Sequence, residues 1–108
     1  MEKIMNDRKY TSVRDKNGKT VRENDIILVK FYMSFDTGER FISRYVKITW
    51  DGSYEKFIIR LPNSITIEFG EKFSENFDIE IVGNALDKSS ATFRLLDIVY
   101  GRNKIYDY

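Results

Sequence analysis

Apolar and polar residues alternate along most of this chain, which is the pattern of strands with one buried face, because successive side chains of a strand point to opposite sides. In residues 65–69 and 77–81, Ile or Phe occupies every second position and a polar residue each position between. Residues 26–29 are apolar on both faces, which is typical of a strand inside a sheet. The predicted strands span residues 25–35, 40–50, 54–61, 64–70, 77–83 and 91–100.

Turn residues separate these strands. The sequences "DTGE" at 36–39 and "DGS" at 51–53 supply Asp and Gly where a hairpin needs a positive φ, and Pro62 lies in another break. Asn17 and Gly18 form the pair that best occupies a type I′ turn, so the chain is expected to reverse tightly there. The pattern predicts an all-β fold: a small single-domain antiparallel barrel or barrel-like sandwich of about six strands, SH3-like or similar.

The segment "NALDKSSATFRLLDIVY" at 84–100 permits two interpretations. Ser89 or Ser90 could cap a short helix, since serine oxygens accept hydrogen bonds from the first free N–H groups of a helix. The β-branched and aromatic residues at 92–93 and 98–100 favour an extended chain instead. We predict a strand.

The length of 108 residues is enough for one core, so we expect a single domain over residues 1–108, with residues 1–9 and 101–108 as flexible or docking ends. A content of 42% hydrophobic and 15% aromatic residues supports a folded chain rather than a disordered one. The chain lacks the roughly 20 consecutive apolar residues of a membrane helix, and its N-terminus lacks a secretory signal. These features predict a cytoplasmic protein without a membrane partner.

The chain contains no cysteine and no histidine. Disulfides and thiolate zinc sites are therefore excluded, and the usual general base near neutral pH is missing. Glu68, Asp78 and Glu80 could gather around Mg²⁺ or Ca²⁺, but alternating acids also serve simply to keep the outer face of a strand in water, and we favour that interpretation. We predict no catalytic residue, no metal site and no cofactor, and hence no enzyme.

The stretch "YTSVRDKNGKTVRENDIILVKF" resembles the opening of the YopX family of phage and prophage proteins. That opening runs approximately as Tyr-Thr-Gly, then Asp-x-Asn-Gly-Lys, then Ile-Tyr-Glu-Gly-Asp-Ile-Val, and residues 10–29 follow the same order. Residues 77–84, within "FDIEIVGNAL", are similar to a segment near the end of the family pattern. Ser12 and Asn24 stand where the family has glycine, and the last quarter of the chain diverges from it.

The resemblance implies a small β-barrel-like fold and a phage or prophage origin. It implies no established activity, so no site residue is transferred from the family. Asn24 is a mild departure from glycine, because asparagine tolerates the left-handed backbone region better than other residues do.

Charge is unevenly distributed, with basic residues in excess over 1–22 and acidic residues in excess over 71–87. Small barrels commonly bind nucleic acid through aromatic residues interleaved with Arg and Lys. Two predicted strands joined across "DGS" offer such a surface, although the net charge of +1 is modest for phosphate binding. The candidate binding surface consists of Arg40, Arg44, Lys47, Tyr54, Lys56 and Arg60.

The end of the chain favours protein binding, since tyrosine and arginine are common anchors of interfaces. The candidate docking tail consists of Tyr100, Arg102, Tyr106 and Tyr108, and it could also mediate a homo-oligomer. We predict a non-enzymatic accessory protein of phage type that binds a host protein in the bacterial cytoplasm, inhibiting a nucleic-acid enzyme or a defence factor. The alternative is a nucleic-acid-binding barrel that uses the basic and aromatic strand face.

Overall fold

Seven strands and two helices make up the part of the chain that the computed structural model describes, residues 9–61 and 64–101. For residues 31–35, 40 and 41 only the backbone is described. The elements are β1 (Tyr10–Arg14), β2 (Thr20–Arg22), β3 (Asp25–Phe35), β4 (Gly38–Asp51), β5 (Lys56–Arg60), β6 (Thr66–Glu68), α1 (Glu71–Asn76), β7 (Asp78–Asn84) and α2 (Ser90–Val99).

The main sheet is antiparallel and has the strand order β6-β5-β4-β3-β7. β4 is shared between two sets of partners: residues 38–47 pair with β3, and residues 48–51 pair with β5. β3 lies between β4 and β7, as predicted for a strand that is apolar on both faces. The mostly-β, antiparallel character is confirmed, but the sheet is not a closed barrel, because β6 and β7 lie at opposite edges.

One face of the sheet carries the hydrophobic core, which the β1–β2 hairpin and α1 cover. Directly paired residues bring the apolar side chains together, with Ile27 opposite Val46 and Ile48 opposite Ile59. The hairpin adds two valines from its own buried positions. The buried cluster consists of Val13, Val21, Ile27, Val29, Val46, Ile48, Ile59, Phe69 and Ile79.

The helix α2 packs on the opposite face of the sheet. The side chain of Ile26 points away from the core, because Ile26 and Ile27 are successive residues of a strand. It lies near Leu95 of α2: the Cδ1 atoms of both residues are within 4 Å of the position that a Cβ on Gly83 would occupy. Thr92 and Val99, seven residues apart on the inner side of α2, are 3% and 6% exposed. The molecule therefore has three layers: hairpin and α1, sheet, and α2.

The strand predicted at 91–100 is wrong, because this segment forms α2. Ser89 caps the helix: its Oγ accepts a hydrogen bond from the Thr92 backbone N–H at 3.2 Å. With that first turn satisfied, Thr92 and the apolar residues at 95–96 and 99 recur at helical spacing and face the sheet. Tertiary burial of this stripe outweighs the strand preference of the β-branched residues.

Replacing Ser89 with alanine should lower the free energy of unfolding by about 1 kcal/mol, because one N–H group at the start of α2 loses its acceptor. Urea unfolding followed by the fluorescence of Trp50 measures this change. Ser90→Ala is the matched control, since Ser90 lies one position further on and is exposed. Equal losses in the two variants would contradict the cap.

The helix α1 interrupts the series of strands between β6 and β7. Phe69, Phe73 and Phe77 recur every four residues, and their ring centroids lie 5.3 and 4.6 Å apart along the series. Phe73 lies in α1, whereas Phe69 precedes the helix and Phe77 follows it in extended backbone. In the chain, a helix of six residues thus separates β6 from β7.

The turn at Asn17-Gly18 reverses the chain, but it is not a type I′ turn. Gly18 has φ +83, whereas the described non-glycine residues with positive φ are Asn24, Glu55 and Ser64. The Gly18 N–H donates to the Asp15 carbonyl oxygen at 2.9 Å, so a three-residue loop ends on a glycine in the left-handed region. After "DGS" the positive φ likewise falls on Glu55 rather than Gly52.

Candidate binding site

The predicted basic surface lies on one hairpin, because β4 and β5 pair as neighbours. Its side chains divide between the two faces of the sheet. Arg44 lies directly opposite Val29, on the core face. Lys47 lies next to the core residue Val46, and Arg60 next to the core residue Ile59, so both side chains point to the other face. The side chain of Arg40 lies outside the described residues.

The remaining members of the predicted surface lie near the β4–β5 turn. Tyr54 is 75% exposed, and the Lys56 Nζ lies 5.9 Å from its ring centroid. Lys56 also pairs with Glu68 of β6, at 3.3 Å between Nζ and Oε1. Its charge is thus partly balanced within the sheet, and an exposed pair of this kind adds little to stability.

Of the predicted docking tail, Tyr100 is the residue that the structure describes. It is 47% exposed, and the Lys47 Nζ lies 5.6 Å from its ring centroid. This cation–π contact joins the end of α2 to β4. Arg102, Tyr106 and Tyr108 lie outside the described residues.

The three acidic residues considered as metal ligands do not come together. Glu68 lies on β6 and Asp78 and Glu80 lie on β7, at opposite edges of the sheet. Glu80 pairs with Lys16 at 3.3 Å. Within residues 9–61 and 64–101, no group of three acidic side chains is close enough to hold a metal ion.

An apolar cleft of about 330 Å³ opens on the core face, between the sheet and α1. Its wall is almost entirely carbon, and Arg44 is the charged residue among the described side chains that line it. Sequence reasoning identified Arg44 but missed the aromatic wall, although the four-residue spacing of phenylalanines from Phe69 to Phe77 was a usable signal. The lining residues are Val29, Arg44, Val46, Ile59, Leu61, Ile67, Phe73 and Phe77.

A second groove, of about 270 Å³, lies where α2 ends beside β4 and β5. It brings Arg44 and Arg60 of the predicted surface to one site, together with apolar residues of the helix end. Ile98, which is 44% exposed, was not predicted as a site residue because the segment was read as a strand. The groove is lined by Ser43, Arg44, Tyr45, Val46, Arg60, Leu61, Ile98 and Val99.

The buried carboxylate of Asp25 holds the start of β3. Asp25 is 3% exposed, and its oxygens accept from the Arg22 N–H and the Asn84 side-chain amide, both at 2.9 Å. Its neighbour Asn24 has φ 71, a conformation that asparagine tolerates better than most residues. These contacts turn the chain into the sheet, so this polar cluster is structural.

Asp15 joins the β1–β2 turn to the edge strand β7. One carboxylate oxygen accepts the N–H groups of Asn17 and Lys19 at 2.9 Å each, and the other accepts the Ile81 N–H at 3.0 Å. The Lys16 N–H donates to the Ile79 carbonyl oxygen at 3.0 Å beside it. Asp15 thus supplies the acceptor that a neighbouring strand would otherwise offer to β7.

These contacts alter the acidity of Asp15. Burial raises the pKa of this carboxyl, but the N–H donors of Ile81, Lys19 and Asn17 and the charge of Lys19 together lower it by more, so the pKa lies below its ordinary value of 3.8. The carboxylate is therefore ionised at neutral pH and holds its three hydrogen bonds there.

The fold and site define a small, mostly-β protein: a five-stranded antiparallel sheet with an apolar cleft on one face and a helix on the other. Comparison of the chain with protein-family models, with curated proteins and with solved structures gave no match. In the described part of the chain, neither helix has the length and apolar character needed to cross a membrane.

Proposed function

We propose that this chain is a non-enzymatic accessory protein of phage or prophage type that binds and inhibits a host protein in the bacterial cytoplasm. The resemblance of residues 10–29 to the YopX family supports the phage origin. The lack of histidine and cysteine supports a binding role over catalysis. The class of target, a nucleic-acid enzyme or a defence factor, rests on the phage resemblance alone.

The groove at the end of α2 is the observation that carries the protein-binding proposal. Its apolar walls are flanked by two exposed arginines, and no carboxylate of the described residues lies within 4.0 Å of either Arg44 or Arg60. Arginine and partly buried apolar residues are favoured at protein interfaces. The groove therefore fits a partner surface that presents an acidic side chain next to an apolar one.

Further exposed apolar side chains lie on and next to α2. Phe93, Ile98 and Tyr100 are 55%, 44% and 47% exposed, and Lys47 adds a further cation beside Tyr100. Phe93 and Tyr100, seven residues apart, lie on one side of the helix and Ile98 on the other, so Phe93 and Tyr100 form the apolar patch beside Lys47. A host protein with an acidic rim around an apolar patch would complement both features.

Capture from a bacterial lysate treated with nuclease tests the proposal. We expect the immobilised full-length protein to retain one host protein in stoichiometric amount, identified by mass spectrometry, and Arg60→Glu or Ile98→Asp to lose it. Lys72→Glu and Leu86→Asp are matched controls, because both residues are exposed and neither lines the groove. Retention by all four variants, or capture of nothing stoichiometric, would overturn protein binding at this groove.

Nucleic-acid binding is the second candidate function. The aromatic residues Tyr54 and Tyr100 each have a lysine beside the ring, which is the combination that stacks bases and neutralises phosphates. If three phosphates are neutralised, the affinity for a fluorescent 20-nucleotide single strand should fall roughly 20-fold between 50 and 200 mM salt. A salt-independent affinity, or none at 50 mM, would exclude this candidate.

A further inference from the structure

The apolar cleft on the core face is partly open to solvent, and its volume is about 330 Å³. Val46 and Ile59 come from the sheet, and Phe73 and Phe77 bound the cleft on the side of α1. Small-molecule sites are mostly apolar clefts or cavities, and they begin at about this volume.

Arg44 gives the cleft a charged end. The wall is almost entirely carbon although Arg44 lines it, so this residue contributes its methylene stem while its guanidinium reaches solvent, where the side chain is exposed. No carboxylate of the described part of the chain lies within 4.0 Å to neutralise it. A guanidinium binds a carboxylate through two parallel hydrogen bonds.

We propose that this cleft binds a single-chain amphiphile with an anionic head, of the fatty-acid class. The hydrocarbon chain lies between the sheet and the phenylalanines of α1, and the carboxylate binds the Arg44 guanidinium at the mouth. One alkyl chain is the occupant that matches the cleft, because the described residues of its lining offer one charged group and no further polar anchor. The site is separate from the proposed docking of a host protein, although Arg44 also borders the groove.

Isothermal titration calorimetry of the full chain with octanoate and decanoate, below their micellar concentrations, tests this proposal. We expect saturable binding of one molecule per chain, with roughly tenfold higher affinity for decanoate, because two more methylene groups are buried. Decyltrimethylammonium, which has the same alkyl chain and a cationic head, should bind at least tenfold more weakly. Absence of saturable binding, or equal affinity for the two head groups, would overturn the proposal.

Variants assign the two halves of the ligand to the two ends of the cleft. Arg44→Gln should lower the affinity for decanoate roughly tenfold, since it removes a charge-assisted contact at an exposed position. The affinity for decyltrimethylammonium should stay unchanged. Ile67→Trp, which fills the cleft, should lower the affinity for both compounds. The urea midpoint of this variant shows whether it is folded. Arg94→Gln, at an exposed position of α2, is the matched control and should change neither.

The same variants separate this proposal from protein docking. Host-protein capture is measured with Arg60→Glu and Ile98→Asp, neither of which lines the cleft. If decanoate binds to these variants while the host protein does not, the ligand occupies the cleft and not the groove. If Arg44→Gln and Arg94→Gln weaken decanoate equally, the carboxylate is not held at Arg44 and the assignment is wrong.

Discussion

Replacing Asp15 with asparagine is expected to lower the free energy of unfolding at pH 7 by about 3 kcal/mol. An asparagine side chain has one acceptor oxygen, whereas the Asp15 carboxylate uses both oxygens to accept three backbone N–H groups. The amide NH₂ would face either the Ile81 N–H or the N–H pair of Asn17 and Lys19. A buried donor would lose its partner in either orientation, and the charge would be lost as well.

The same residue contributes to the pH dependence of stability. Because the pKa of Asp15 in the folded chain lies below its ordinary value of 3.8, its stabilising contribution is complete at pH values above 3.8. That contribution is lost as the pH falls through the lower pKa of the folded state, where the carboxylate becomes protonated. The wild-type protein should therefore lose stability as the pH falls below 3.8, and Asp15→Asn should lose less over the same interval.

Urea unfolding followed by Trp50 fluorescence, at pH 7 and at several values down to pH 2.5, measures both effects. Asp78→Asn is the matched control, since Asp78 lies on the same edge strand and is exposed. The control should stay within about 0.5 kcal/mol of the wild type at pH 7. Similar losses in the two variants would show that the contact of Asp15 with β7 does not stabilise the fold.

Replacing Ile48 with alanine is expected to cost about 4 kcal/mol, because this side chain is fully buried and the surrounding core collapses only in part. Ile48 lies where β4 passes from pairing with β3 to pairing with β5, directly opposite Ile59. A cavity there removes contacts from both sets of strands. The loss would be a large fraction of the roughly 5–15 kcal/mol that holds a domain of this size folded.

Chemical denaturation at 25 °C measures this loss, with Ile65→Ala as the matched control. The control makes the same chemical change at a residue that is 49% exposed, so its cost should stay below about 1 kcal/mol. If both variants shift the urea midpoint equally, the core does not centre on β4. A change in the urea slope would instead indicate that the denatured state has changed.

The strands could be predicted from the sequence where one face of the strand is buried and the other is exposed to solvent. Residues 25–35 coincide with β3, and residues 40–50 lie within β4. α2 was misread because Phe93 and Val99 suit either structure in isolation, and only the Ser89 cap and the burial of Thr92 against the sheet decide between them. Local patterns cannot report which face of a segment another element will cover.

The candidate site could be predicted only in part, for a related reason. Arg44 and Arg60 were singled out as cations on neighbouring strands, and the structure brings both to the groove at the end of α2. The apolar residues around these arginines could not be predicted, because Ile98 reaches the groove as part of α2, and the sequence pattern did not indicate that helix. Phe73 and Phe77 form the cleft wall only because α1 folds back across the sheet.

The turn held by Asp15 has a consequence for how this chain can meet other chains. Exposed strand edges invite foreign strands to pair with them, and here the outer edge of β7 is occupied by Asp15 and Lys16, while β6, at the other edge, is three residues long. Among the described strands, the first ten residues of β4 pair with β3, and the pairing with β5 begins at Ile48. Addition of a foreign strand is thus disfavoured at both ends of the sheet.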